Sequence, residues 1–258
     1  MMGGDLDIIS GVQDGDFYFY EDTSSVGSPS FNAAVVNDFG LTDIGNHSKP
    51  AFADMDNDGD LDMLVGAHSG SFYYFQDTST VGSPAFDAVV TNPFGLTSVG
   101  NRSTVALVDI DNDGDLDLVS GDSYGDFYFY QDTSTTGSPA FDANVMNPFG
   151  LVSLGDDNTL SSFVDLDNDG DMDMIAGAES GAFLYYENTG TTAAPAFAAS
   201  TINPFDLFST EGYSTPAFAD MDNDGDMDLL SGDYYGNFFY YENNSVPAAP
   251  ANTTAGGN

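Results

Sequence analysis

Cysteine is absent, and only Lys49 and Arg102 carry a fixed positive charge, against 42 acidic side chains in 258 residues. The first absence excludes disulfides, thiolate nucleophiles and thiolate metal sites. The second, with a net charge of −40, excludes nucleic acid and anionic membrane as natural partners, because almost nothing could meet a phosphate. No apolar run approaches the roughly 18 residues of a membrane-spanning helix, so direct membrane insertion is not expected. The N-terminus lacks a signal-peptide pattern, so an exported protein would have lost its leader or be part of a longer chain. Helical periodicity with caps is also missing throughout. His47 and His68 are the only histidines, and neither stands in a triad or at zinc-ligand spacing, so the chain is not expected to be an enzyme.

Glutamate is scarce as well. Glu21, Glu179, Glu187, Glu211 and Glu242 are the only five, which leaves 37 aspartates. A merely solubilising surface would use both acids. The shorter one is suited to turns and ligand loops, where its side chain folds back on its own backbone. Against this charge stand 21 Phe and 14 Tyr, enough apolar surface to build a core and to exclude disorder.

The aspartates are concentrated in one nine-residue phrase that occurs four times: Asp54–Asp62, Asp109–Asp117, Asp165–Asp173 and Asp220–Asp228, each reading Asp-x-Asp-Asn-Asp-Gly-Asp-x-Asp. Five carboxylates so close together repel one another unless a cation holds them. Oxygen-only donors select a hard ion, and calcium, which accepts many oxygens in a flexible geometry, fits better than magnesium. The ligand candidates are Asp54, Asp56, Asp58, Asp60 and Asp62; Asp109, Asp111, Asp113, Asp115 and Asp117; Asp165, Asp167, Asp169, Asp171 and Asp173; and Asp220, Asp222, Asp224, Asp226 and Asp228. About four calcium ions per chain are expected. Helical calcium hands close with Glu at loop position twelve. Here that position holds Val65, Ser120, Ala176 or Ser231, and the last acid comes at position nine, as in a β-hairpin loop. Side chains one, three, five and nine and the backbone carbonyl of position seven are the expected ligands. The seventh side chain lies behind the ligand shell or faces solvent, and the sixth-position Gly allows the sharp turn.

The phrases recur every 55 or 56 residues, and one more step back reaches Gly4-Asp5-Leu6-Asp7, the tail of the same phrase. Each unit reads as short strands. A segment such as Pro50–Ala53 enters the loop, a period-two strand such as Leu61–Val65 leaves it, and a Gly turn leads to an aromatic strand. The aromatic strands are Phe17–Tyr20, Phe72–Phe75, Phe127–Tyr130, Phe183–Tyr186 and Phe238–Tyr241. A fourth segment ends in phrases such as Asn92-Pro93-Phe94-Gly95-Leu96, read as blade-edge turns. Four strands per 55 residues predict an all-β protein, a β-propeller of about five four-stranded blades, four complete plus an N-terminal half blade. Residues 1–243 are expected to be a single domain, and 244–258, rich in Pro, Ala, Thr and Gly, a flexible tail.

Together, Phe-Ala-Asp-x-Asp-x-Asp-Gly-Asp-x-Asp, the following Gly and the aromatic strand resemble FG-GAP/VCBS-type repeats, related to the calcium loops of integrin α propellers. The resemblance spans about Asp5 to Asn243. It implies an extracellular or cell-surface propeller whose calcium ions stabilise the first hairpin of each blade, in a family serving adhesion, sugar binding or surface structure. The expected role is therefore a non-enzymatic structural or adhesive module. The N-terminal hairpin, with an unpaired edge, could recruit the chain's own tail or a neighbouring subunit, and head-to-tail contact would then propagate into a filament. The alternative is a calcium-dependent lectin stacking sugars on tyrosines such as Tyr18, Tyr73, Tyr128 or Tyr234. Asn46, Asn101, Asn243 and Asn252 begin glycosylation-type triplets.

Overall fold

The computed structural model describes residues 6–24, 30–79, 84–134, 138–155, 160–222 and 224–244. Among these residues eighteen short strands form five antiparallel sheets arranged as propeller blades. Blade one holds β1 (Ile8–Gly11), β2 (Phe17–Tyr20) and β3 (Val35–Val36). Blade two holds β4 (Lys49–Ala53), β5 (Asp62–Gly66), β6 (Phe72–Phe75) and β7 (Val90–Thr91). Blade three holds β8 (Ala106–Val108), β9 (Asp117–Gly121), β10 (Phe127–Tyr130) and β11 (Val145–Met146). Blade four holds β12 (Ser161–Val164), β13 (Asp173–Gly177), β14 (Phe183–Tyr186) and β15 (Thr201–Ile202). Blade five holds β16 (Thr215–Ala219), β17 (Asp228–Gly232) and β18 (Phe238–Tyr241). Among the described residues the only helical element is one 3-10 turn at Asp38–Gly40, and no helix is long and apolar enough to cross a membrane.

The five expected blades are present, but the shortfall is divided differently from the sequence reading. Each short fourth strand pairs back onto the aromatic strand that precedes it, as Tyr73 pairs with Thr91. Because of this pairing, the N-terminal hairpin gains β3 as a third strand and, among the described residues, lacks only an innermost one. Blade five lacks an outermost strand among the described residues. The expected tail 244–258 lies, apart from Asn244, outside them.

Second strands such as β5 are buried along their whole length, since both edges are paired and neighbouring blades cover both faces. This double cover is why Met63, Leu64 and Val65 are all buried, where the period-two reading would leave Leu64 on the other face and open. At Gly66 an added Cβ would overlap the Ser103 carbonyl of the next blade, so close backbone approach requires glycine.

The aromatic strands join the blades. The first ring of each strand meets the fourth ring of the next blade edge to face. Phe17 meets Phe75 at 5.9 Å, Phe72 meets Tyr130 at 5.8 Å, Phe127 meets Tyr186 at 6.0 Å and Phe183 meets Tyr241 at 5.6 Å between centroids. The fifth contact, Phe238 to Tyr20 at 5.7 Å and 87°, has the same geometry and closes the ring between the last blade and the first.

A second clamp uses the Asn-x-Phe-Gly turns. Asn92 Oδ1 accepts the Phe72 amide at 2.9 Å while the Asn92 backbone amide donates to the Phe72 carbonyl at 2.7 Å. Phe94 then adopts φ 58° and offers its carbonyl to the Phe141 amide of the following blade at 2.9 Å. Asn37 and Phe39, and Asn147 and Phe149, repeat the arrangement. These phrases are thus blade-edge turns, as the sequence suggested.

Candidate metal centres

Each acidic phrase leaves an innermost strand and turns into a second strand, so all four loops lie at the same end of their blades. Within the first, Asp54 Oδ1 accepts the Asp58 amide at 3.0 Å and Oδ2 the Gly59 amide at 3.1 Å, while Asp58 Oδ1 accepts the Asp60 amide at 3.0 Å. The chain turns through left-handed Asn57 (φ 60°) and Gly59 (φ 102°). The same bonds recur at Asp109, Asp165 and Asp220 within about 0.1–0.2 Å.

This turn brings positions one, three and five together. Asp54, Asp56 and Asp58 can each present a carboxylate oxygen within 4.8 Å of the others, as can Asp109, Asp111 and Asp113; Asp165, Asp167 and Asp169; and Asp220, Asp222 and Asp224. Three carboxylates at that spacing are a hard-cation donor set. A buried acceptor atom supports the fit, because Asp111 Oδ1 has no hydrogen-bond partner. Like charges add to burial at these groups. Desolvation first, then neighbouring Asp169, pushes the Asp171 carboxyl up to about 6, and Asp111 is raised by burial and by Asp113. The residues therefore fit a bound divalent ion, which when present would neutralise the cluster.

The seventh position is half-buried at Asp60 and Asp115 and buried at Asp171 and Asp226, outside the three-carboxylate group. The ninth also stands outside that group and is a hub of the blade. Asp62 is fully buried. Its Oδ1 accepts the Asp77 amide at 2.8 Å, and its Oδ2 accepts the Met55 amide at 3.2 Å and the Tyr74 hydroxyl at 2.8 Å. Asp77 in turn accepts the Ser79 and Ala85 amides, so one carboxylate ties the acidic loop to the outer loop. Asp173 and Asp228 are held likewise by Tyr185 and Tyr240. At Asp117 the residue in the tyrosine's place is Phe129. Asp117 Oδ2 has no partner, and burial pushes this carboxyl up to about 7.

Sequence reasoning missed these phenols, although a Tyr stands twelve residues after the ninth aspartate in three of the four repeats. It also missed Gln76, whose amide donates to Asp56 Oδ2 at 2.6 Å, and Gln131, which donates to Asp111 Oδ2 at 3.0 Å. The corresponding positions in blades four and five are Glu187 and Glu242. The four centres thus fall into two pairs, one restrained by an amide and one flanked by a further acid.

The tyrosines considered for stacking behave differently from one another. Tyr18, Tyr73 and Tyr128 are half-buried, and Tyr73 and Tyr128 pack on the core. Tyr234 is 66% exposed, stacks on Tyr213 at 5.5 Å and touches Tyr235. His47 and His68 stack on each other at 5.3 Å, with Arg102 Nε 3.4 Å from His68 Nδ1.

Comparison with known proteins gives three results. The family described as FG-GAP-like repeat matches residues 165–231, the stretch from the third acidic phrase into the strand after the fourth. A solved chain titled "Structure of Dos1 propeller" is similar at 15% identity and a TM-score of 0.39, over 90% of this chain and 57% of that one. No curated protein matches. The FG-GAP-like match thus covers one stretch of a five-bladed β-propeller.

Proposed function

We propose that the chain is a non-catalytic, calcium-loaded β-propeller that works outside the cell or at its surface as a structural or adhesive module. The observation carrying this reading is the fourfold repetition of one three-carboxylate cluster on the same loop of successive blades. A single acidic turn has little diagnostic value, whereas four in identical register are a built feature. Calcium is abundant outside cells, where loops of modest affinity remain filled. Self-association is part of the proposal, because strand edges remain unpaired in blades one and five among the described residues.

Negative-stain micrographs of the purified chain with calcium and with excess chelator test the role. Ordered assemblies present only with calcium are expected. Single particles in both conditions would remove the self-assembling part. A lectin is the second reading, favoured by the exposed Tyr234 and Tyr235 and their neighbour Tyr213. Chelator-sensitive binding on a glycan array, without assemblies, would select it.

A further inference from the structure

The four inner strands share one environment, and among the described residues blade one offers the same environment without the strand. β4, β8, β12 and β16 run along the centre of the ring, each paired to the second strand of its own blade. β1 is the second strand of blade one and pairs only with β2 among the described residues. It is half-buried along its length, where β5, β9 and β13 are buried throughout. β1 borders the central channel of the ring, a space of about 950 Å³ lined also by β4, β8, β12 and β16, including Phe52, Phe163 and Phe218.

We infer that this edge is a receptor for an added strand, and that its occupant is an extended, uncharged segment of the Pro-Ala-Phe-Ala type running antiparallel to β1. Two observations identify that chemistry. The first is register. Pro50 stands opposite Val65 and cannot donate, so Ala51 and Leu64 are the pair that exchanges hydrogen bonds. Ile9 occupies the Leu64 position, opposite Phe19 as Leu64 is opposite Tyr74. The Ile9 amide and carbonyl therefore point to the missing partner.

The second is the state of the adjoining loop. Asp7 keeps the ninth-position role, accepting the Asp22 amide at 2.8 Å as Asp62 accepts that of Asp77. An incoming strand that continued into Asp-x-Asp-x-Asp would complete a fifth acidic loop around it. This last consequence rests on the calcium reading, whereas strand addition does not.

Two synthetic peptides test the inference, one with the sequence of residues 214–219 and one with that of residues 214–225, added to the full chain and followed by amide hydrogen exchange. Both are expected to bind one to one and to slow exchange at Ile9 by about tenfold or more. Calcium should tighten only the longer one. An Ile9→Pro variant, which loses the inward amide but no bond to β2, should keep the exchange pattern of blades two to four and lose the binding. No binding by either peptide, or an Ile9 amide already protected like that of Leu64 in the peptide-free chain, would overturn the inference. Binding of both with no calcium effect would uphold strand addition and count against the metal reading alone.

Discussion

Excess chelator is expected to lower the melting temperature of the chain by about 12–24 °C. Each site filled at ten times its dissociation constant stabilises the fold by about 1.4 kcal/mol, so four give about 6 kcal/mol. For a chain of this size each kcal/mol moves the midpoint by about 2–4 °C. The direction is set by the structure of the loops. Asp54, Asp56 and Asp58 converge on a space within 4.8 Å, and loss of the ion leaves that repulsion with nothing to offset it. Circular dichroism melts with calcium and with chelator provide the measurement, and coincident curves would remove calcium from the stability of the fold.

Replacing the ninth aspartate should do more damage than replacing a metal-facing one, and the damage should persist without metal. Asp62→Ala leaves the Tyr74 hydroxyl and the Met55 and Asp77 amides unsatisfied in the interior. At about 1–3 kcal/mol for each buried group left without a partner, a loss of about 4 kcal/mol is expected with calcium and with chelator alike. Asp58→Asn alters an exposed side chain that the calcium reading assigns to the ion, and it keeps an oxygen for the Asp60 amide. It should lose about one site's share, about 1.4 kcal/mol, with calcium and almost nothing with chelator. Urea unfolding of both variants in both conditions distinguishes the two roles. Equal behaviour of Asp62→Ala and Asp58→Asn would mean that position nine is simply another ligand.

Repeats and strand periods were enough to read the architecture, because a 55-residue echo and an aromatic tetrad such as Phe127–Tyr130 are local signals. The acidic clusters were equally legible, since a turn of nine residues brings its own side chains together. The assignment of strands to blades was not. Whether Val90–Thr91 joins the strand before it or the strand after it depends on pairing across a loop, and only the Tyr73–Thr91 register decides it. The hub role of Asp62 was hidden for the same reason, as its partners Tyr74 and Asp77 lie on the next strand and the next loop. Ring closure through Phe238 and Tyr20 joins the two ends of the described chain, and its signal emerges only once the other four contacts show the rule.

Calorimetric titration of the metal-free chain with calcium tests the central claim most directly. Four ions per chain should bind, in two pairs of unequal affinity, because Gln76 and Gln131 restrain two centres where Glu187 and Glu242 stand at the other two. A titration without heat or saturation, in a chain that is folded throughout, would contradict it.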